Sequence, residues 1–317
     1  MTTAFVDCER EQRAPRGERR QQRLLLLRGT RVANQTCRKN RSGKKRRSGQ
    51  HASALLAHDA SAGMRETEPA MHAPSAERLL QSWEEGRGAH PIERALALLH
   101  AGAPETPVDA WAGLAIGQRD AALLDLRESL FGSRIETLAH CPRCGELLES
   151  SFELRDLRVP AGPAPAGLHA LSCKVNDYAI AYRLPTSADL LQALTGTSAD
   201  DDAETRLLAL CIAEAQHAGR ALAARDLPAD VVAALQADMA CHDPGAETRV
   251  SLSCPACMHG FETVFDIVAY LWSELDDWAQ RTLAQVHTLA AAYGWSERAI
   301  LRLSPARRQH YIELVQA

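Results

Sequence analysis

Four of the nine cysteines fall in two matching motifs whose residue types and spacing could hold a metal ion. The motifs are Cys141-Pro142-Arg143-Cys144 and Cys254-Pro255-Ala256-Cys257. Two residues between cysteines let both sulfurs reach one ion at about 2.3 Å, while backbone N–H groups of the turn donate to the thiolates. One pair supplies half of a closed site. We therefore predict that Cys141, Cys144, Cys254 and Cys257 form one tetrahedral site for structural zinc.

Other chemistry is open to the same motif. A redox-active Cys-Pro-x-Cys needs its first cysteine at a helix N-terminus, where the thiol pKa is lowered, whereas the residues after Cys144 alternate as in a strand. A structural disulfide is disfavoured because no secretory signal precedes the body. A relic site that has lost its metal is a further alternative. Four thiolates leave no open position for catalytic water, and for His140 and His259, which flank the motifs, we expect a role outside the ligand set.

Each cysteine motif lies between two strand-like runs, which predicts a hairpin with thiols at its turn. The runs are Arg134–Leu138 and Leu147–Leu154 for the first motif, and Arg249–Leu252 and Phe261–Phe265 for the second. More than 100 residues separate the two pairs, whereas about 15–20 are usual in such sites. We therefore predict a subdomain inserted between the hairpins.

The remaining patterns predict an α+β, mostly helical fold: a discontinuous zinc-ribbon-like module of two hairpins, an inserted α/β subdomain and a long C-terminal helix. In the insert we expect a strand pair that turns at Asn176-Asp177, then helices over Ala203–Ala218 and Pro228–Met239. The predicted division is 1–63, a disordered basic segment; 64–132, N-terminal helices; 133–160, the first zinc hairpin; 161–244, the inserted subdomain; 245–266, the second zinc hairpin; and 267–317, a long helix with two short helices.

Composition narrows the class of protein. With 317 residues, 46% of them hydrophobic, the chain can bury one good core or two small ones, and no apolar run approaches the ~20 residues of a membrane span. We find no Ser-His-Asp order, no His-Glu-x-x-His, no phosphate-binding glycine loop and no dinucleotide fingerprint. The absence of these motifs disfavours the corresponding enzyme classes, and we expect no small-molecule substrate.

Charge is distributed unevenly along the chain. Residues 1–50 carry 15 Lys and Arg against 4 Asp and Glu, a charge of +11, whereas residues 51–317 carry 21 against 36, a charge of −15. An acidic body disfavours nucleic-acid binding, although the basic arm could bind it as a disordered tail. Three of the four lysines lie in that arm. We expect an over-extended start, with translation beginning at Met64 or Met71.

From about Met71 to the C-terminus, the chain resembles the T-even-type bacteriophage baseplate protein family, which has relatives in phage-tail-like contractile injection systems. The order of several short motifs carries the resemblance: Leu126-Arg127 to Phe131-Gly132, Cys141-Pro142-Arg143-Cys144-Gly145, Leu184-Pro185-Thr186-Ser187-Ala188-Asp189-Leu190, Cys254-Pro255-Ala256-Cys257, Phe265-Asp266-Ile267, Leu271-Trp272, Val286-His287 and Ala292-Tyr293-Gly294-Trp295-Ser296-Glu297.

This resemblance implies a non-enzymatic protein that builds or completes the baseplate of a contractile tail through contacts with other baseplate or tail proteins. It further implies a zinc-ribbon-like module with helical additions. We expect the protein in the bacterial cytoplasm during assembly and then in the tail or injection particle. The alternative is a zinc-ribbon nucleic-acid-binding protein that uses the basic arm.

One departure from the family pattern is Met258-His259-Gly260 after Cys257, where the first turn has Gly145. Because tight turns favour glycine at positive φ, we expect a looser second turn.

Overall fold

The computed structural model describes residues 71–158, 171–195 and 202–316. The predicted basic segment 1–63 and the predicted linker Pro160–Gly167 therefore lie outside the described residues. Within the described ranges the protein is mostly helical, with three small antiparallel sheets. No helix in these ranges combines the length and the apolar character that a membrane span needs.

Four helices form the N-terminal part: α1 (Ala76–Gly86), α2 (Pro91–Gly102), α3 (Val108–Ala112) and α4 (Ile116–Phe131). Ser75 caps α1, because its hydroxyl accepts from the N–H of Arg78 at 3.3 Å. Pro91 opens α2, where its fixed φ is already helical and its missing N–H costs no bond.

The first cysteine hairpin follows directly. Strands β1 (Arg134–His140) and β2 (Leu147–Glu153) pair antiparallel, with His140 opposite Leu147 at the turn. A short helix α5 (Leu154–Leu157) ends the hairpin. Asp156, predicted to cap the element after the hairpin, accepts from the N–H of Glu153 at 3.3 Å.

The segment between the hairpins contains a four-stranded antiparallel sheet of order β3-β4-β5-β6 and three helices. Its elements are β3 (Leu171–Val175), β4 (Tyr178–Tyr182), α6 (Ser187–Thr195), α7 (Ala203–Cys211), β5 (Ile212–His217), β6 (Arg220–Ala221) and α8 (Ala229–His242). The strand pair that turns at Asn176-Asp177 is confirmed.

One predicted helix is wrong in its extent. The sequence predicts a helix over Ala203–Ala218, but α7 ends at Cys211 and the next six residues form β5. These residues pair with β4, which places Ala215 opposite Ile180 and buries both side chains. Pairing with a neighbouring strand and burial together outweigh the weak helix propensity of the alanines.

The second cysteine hairpin leads into the longest helix. Strands β7 (Thr248–Ser253) and β8 (Gly260–Phe265) pair antiparallel. Asp266 then caps α9 (Ile267–Tyr293), accepting from the N–H groups of Val268 and Ala269 at 2.9 and 3.1 Å. The helix ends at Gly294, which adopts the left-handed conformation. Two short helices, α10 (Glu297–Leu301) and α11 (Pro305–Gln316), complete the described chain.

The main hydrophobic core is continuous across the N-terminal helices, the segment between the hairpins and the first half of α9. Among its fully buried side chains are Leu98, Leu123, Ile135, Leu235 and Leu271. A second, small core lies between the last turns of α9 and the two short helices. A third surrounds the cysteine turns. Helix α9 thus spans two cores, and it begins directly after the second hairpin.

Candidate metal centre

The structure brings the four predicted ligands into one cluster. The Sγ atoms of Cys141, Cys144, Cys254 and Cys257 all lie within 4.8 Å of one another. The closest pairs join the two hairpins: Cys141 to Cys257 and Cys144 to Cys254, each with sulfurs 3.6 Å apart. Four thiolates bound tetrahedrally at about 2.3 Å have their sulfurs about 3.8 Å apart. The four side chains therefore have the donor chemistry and spacing of a closed tetrathiolate metal site.

The two turns have the same backbone hydrogen bonds. In the first, the N–H of Gly145 donates to Cys141 O at 2.9 Å and the N–H of Cys141 donates to Glu146 O at 2.8 Å. In the second, the N–H of Met258 donates to Cys254 O at 2.9 Å and the N–H of Cys254 donates to His259 O at 2.9 Å.

The predicted looser second turn is therefore wrong for the backbone. Met258 adopts the left-handed conformation itself, with φ of 58° against 78° at Gly145. The prediction failed because a residue other than glycine takes positive φ at this position. That conformation is strained for a residue with a Cβ atom.

The sulfurs influence one another's ionisation. Burial opposes ionisation of the Cys141 thiol, but hydrogen bonds from the backbone N–H groups of Cys144 and Arg143 and from neighbouring thiols lower its pKa to about 6. The Glu146 N–H favours the Cys144 thiolate, yet the neighbouring cysteine sulfurs raise the pKa of Cys144 to about 12. Ionisation of one thiol in the cluster thus makes ionisation of a second thiol less favourable. A bound cation would remove that cost, because metal-bound thiols are deprotonated.

A buried arginine holds the first hairpin against α4 and α9. Arg127, 2% exposed, donates from Nε and Nη2 to the carboxylate of Glu274 at 2.9 and 2.7 Å. Its Nη1 donates to the carbonyl of Gly132 at 2.6 Å, just before β1. Tyr270, whose ring lies 5.6 Å from the guanidinium, donates from its hydroxyl to Glu136 O in β1. Arg127 follows Leu124 and Leu123 by three and four positions, and a charged residue on such an apolar helix face was the available signal for a buried ion pair.

The second hairpin is positioned by a close approach of two backbones. The N–H of Gly117 in α4 donates to the Asp243 carboxylate at 2.9 Å. A Cβ atom on Gly117 would lie 2.0 Å from Asp243 Oδ1 and 2.9 Å from the backbone nitrogen of Ala246. Only glycine fits there without displacing the turn that leads into β7. Between the hairpins themselves, the rings of Phe152 and Phe265 meet edge to face at 6.0 Å.

The Leu184–Leu190 motif stabilises the start of α6. Thr186 and Asp189 form a reciprocal capping box, with Thr186 N donating to Asp189 Oδ2 at 2.9 Å and Asp189 N to Thr186 Oγ1 at 3.3 Å, so Thr186 is the cap of α6. Arg183 forms a bidentate pair with Asp189 at 2.5 and 2.6 Å. Burial opposes ionisation of Asp189, but Arg183 and Thr186 lower its pKa. Sequence analysis identified a cap here but not this ion pair.

A second buried pair lies beside the same motif. Arg119 Nη2 lies 2.6 Å from the carboxylate of Asp120, and its Nη1 donates to the buried hydroxyl of Ser187 in α6 at 3.2 Å. Burial raises the pKa of Asp120 to about 6 despite the adjacent guanidinium.

Other side chains considered as ligands lie outside the cluster. His140 is exposed and its Nδ1 lies 3.2 Å from Gly145 O, whereas the ring of His259 stacks on Phe261. Asp202 caps α7 by accepting from Thr205 N at 2.8 Å; Asp200 and Asp201 lie outside the described residues. Cys173 and Cys211 are buried in the main core. In the described part of the chain, the four-cysteine cluster is the one group of such residues able to hold a metal ion.

Neither cysteine pair lies at the start of a helix, because a strand precedes and follows each turn. The arrangement that a redox-active Cys-Pro-x-Cys requires is therefore not met. Fold and site together define a mostly helical protein in which two hairpins that are far apart in the sequence come together at four cysteines.

A model of the T4 bacteriophage base plate protein family matches residues 96–271. This range is more than half of the chain and includes all four cysteines, and the chain belongs to this family. Comparison with curated proteins gave no match, and neither did comparison with solved structures.

Proposed function

We propose that this chain is a non-enzymatic structural or assembly protein of a contractile-tail baseplate, in a phage or a phage-tail-like injection system. The observation that carries the proposal is the family match over residues 96–271. Its partners are other baseplate or tail proteins. It acts in the bacterial cytoplasm during assembly and is incorporated in the particle.

A structural zinc ion at Cys141, Cys144, Cys254 and Cys257 is part of this proposal. The spacing of the sulfurs and the two matching turns support it. Zinc bound there would join residues on opposite sides of the inserted segment, so the predicted division into two zinc hairpins and an insert of residues 161–244 stays part of the proposal. The role of the metal is stability rather than chemistry, because four thiolates leave no position for substrate or water.

Metal analysis of the purified protein tests the zinc site. We expect one equivalent of zinc per chain, lost in Cys141→Ser and retained in Cys173→Ser. Both cysteines are buried, so the second variant is a matched control for the cost of burying a hydroxyl group. A Cys141→Ser protein that keeps a full equivalent of zinc and its melting temperature would refute a shared site.

Gene deletion with complementation tests the role in the baseplate. In the bacterium that produces the particle, we expect deletion to abolish contractile tails with complete baseplates in electron micrographs, and the wild-type gene to restore them. Normal baseplates after deletion would overturn the proposed function.

The alternative, a nucleic-acid-binding protein, rests on the charge of +11 on residues 1–50. It predicts tight DNA binding that weakens steeply with salt and is lost when residues 1–63 are removed. We expect instead that the full chain and the truncated chain bind DNA equally weakly at physiological ionic strength.

A further inference from the structure

The last turns of α9 form a small unit with α10 and α11 that lies outside the family match. The match ends at residue 271, whereas the core of this unit consists of Val286, Leu289, Ile300 and Ile312.

This unit exposes an aromatic and apolar surface. The rings of Tyr293 and Trp295 stack at 4.7 Å, and Tyr311 meets Trp295 edge to face at 5.0 Å. Tyr293 is 40% exposed, and Leu314 and Val315 on α11 are 55% and 37% exposed. These three are half of the exposed large hydrophobic residues in the described ranges; the others are Val108, Leu147 and Met258. Such a concentration of apolar side chains is typical of a protein-binding surface.

Beside this surface lies a buried arginine, Arg308, which forms no ion pair with the residues of the described ranges. Arg308 is 3% exposed, and no residue in the described ranges accepts a hydrogen bond from its Nε or Nη1. Burial lowers the pKa of this guanidinium. Tyr311 and Ile312 follow it by three and four positions and therefore share its face of α11. An unpaired buried charge is costly. Because Nε and Nη1 have almost no accessible surface, a carboxylate from outside pairs with this guanidinium only where the adjacent side chains move aside.

Charge differs between this unit and the rest of the body. Residues 294–317 carry four arginines against Glu297 and Glu313, a charge of +2, whereas residues 51–293 carry 17 basic against 34 acidic residues, a charge of −17. The C-terminal unit is thus a weakly basic, aromatic region on an acidic protein. An acidic partner would be attracted to this region and repelled by most of the remaining surface.

We propose that the surface formed by Tyr293, Trp295, Tyr311, Leu314 and Val315, here called the C-terminal docking surface, binds an acidic segment of another baseplate protein whose carboxylate pairs with Arg308. This proposal rests on the proposed baseplate function and names the chemistry of the partner. The apolar side chains of the segment cover the aromatic rings, and its Asp, Glu or terminal carboxylate accepts from the guanidinium. Arginine and aromatic residues are the types that dominate binding energy at protein interfaces.

Peptide binding by the full-length protein tests the docking surface. The probes are overlapping 15-residue peptides that cover the tail proteins encoded beside this gene. We expect the bound peptides to be acidic and to contain apolar residues, and to lose at least about tenfold in affinity when their carboxylates become amides. Binding of peptides without acidic residues, binding of DNA alone, or self-association of the chain through this surface would overturn the proposal.

Arg308→Met and Arg307→Met form a matched pair, because the two arginines are adjacent in α11 and only Arg308 is buried. Replacing the buried unpaired charge by an apolar side chain should raise the melting temperature of the free protein by about 2 °C or more and weaken peptide binding at least about tenfold. Arg307→Met should change neither by much. An Arg308→Met protein that binds as tightly as wild type, or that is less stable, would contradict the assignment.

Complementation of the gene deletion separates the two proposals. If the deletion leaves baseplates normal, the proposed function is wrong. If the deletion removes baseplates but Arg308→Met and Tyr311→Ala both restore them fully, the function stands and the docking surface is wrong. We expect both variants to fold, to bind zinc as wild type does, and to restore baseplates poorly.

Discussion

Exchanging the residues at the two cysteine turns should change stability in opposite directions. Met258 and Gly145 occupy equivalent positions, both with positive φ and with the same hydrogen bond to the first cysteine of the motif. Met258 is 79% exposed, so Met258→Gly removes almost no packing. At Gly145 an added Cβ atom meets nothing within 4 Å. Both substitutions therefore act through the backbone alone.

The magnitude follows from two opposing terms. The left-handed conformation costs a residue with a Cβ atom about 1–2 kcal/mol, and Met258→Gly relieves this cost. Glycine increases the entropy of the unfolded chain, which removes about 0.5–1 kcal/mol of stability. The net expectation is a gain of about 0.5–1 kcal/mol for Met258→Gly and a loss of similar size for Gly145→Ala. For a domain of this size, these changes move the melting temperature by about 2–3 °C.

Thermal unfolding followed by circular dichroism, with metal content measured on the same samples, provides the assay. The order of melting temperatures should be Met258→Gly, then wild type, then Gly145→Ala. The double variant should return close to wild type, because the residues lie in separate turns and their effects should largely add. A Met258→Gly protein that holds its metal and melts at or below the wild-type temperature would refute the argument from backbone strain.

Three further substitutions probe the contacts that hold the hairpins in place. Arg127→Met leaves its carboxylate partner unpaired and should lower the free energy of unfolding by about 3 kcal/mol. Arg134→Met removes an exposed ion pair and should change the free energy of unfolding by less than about 0.5 kcal/mol. Equal effects of the two substitutions would contradict the role of burial. Gly117→Ala should cost about 1–3 kcal/mol by overpacking, and Gly88→Ala, where a Cβ meets open space, should be close to neutral in the same urea titration. Asp120→Asn tests the carboxyl whose pKa is raised from 3.8 to about 6 by burial. Because the folded-state pKa is raised, this carboxyl stabilises the wild-type protein most at low pH, and the contribution is lost as the pH rises from 4 to 7. Asparagine does not titrate, so the free energy of unfolding of the variant should rise by about 2–3 kcal/mol relative to wild type over this range. A difference that does not change with pH would exclude this titration.

The sequence predicts those helices and strands whose caps, apolar periodicity and end residues lie within their own short segment. The stripe of α9 begins after the capping carboxylate of Asp266 and ends at Gly294, and the helix has the predicted bounds. The strands on each side of the cysteine turns were predicted in the same way. That the two hairpins come together followed only from the chemistry of four thiolates, because no pattern within either hairpin refers to the other.

Long-range pairing accounts for what the sequence did not predict. The local pattern of residues 212–217 predicts a helix, whereas in the structure these residues form a strand because they pair with β4. The ion pair of Arg127 joins residues 147 positions apart, and the partner of a buried charge leaves no mark in the surrounding sequence. The close packing at Gly117 depends on Asp243, 126 positions away. Such features depend on tertiary contacts, which a single sequence does not reveal.

The distance along the chain between the two cysteine pairs has a consequence for synthesis. Cys144 and Cys254 are 110 residues apart, and ribosomes add about 5–20 residues per second. The first pair is therefore synthesised roughly 6–22 seconds before the second. During this interval the thiols of the first pair lack the other two ligands of the site. They are then open to oxidation or to binding of another metal ion, and the length of this exposure depends on the translation rate. Slower synthesis prolongs that exposure, whereas the finished protein is unaffected.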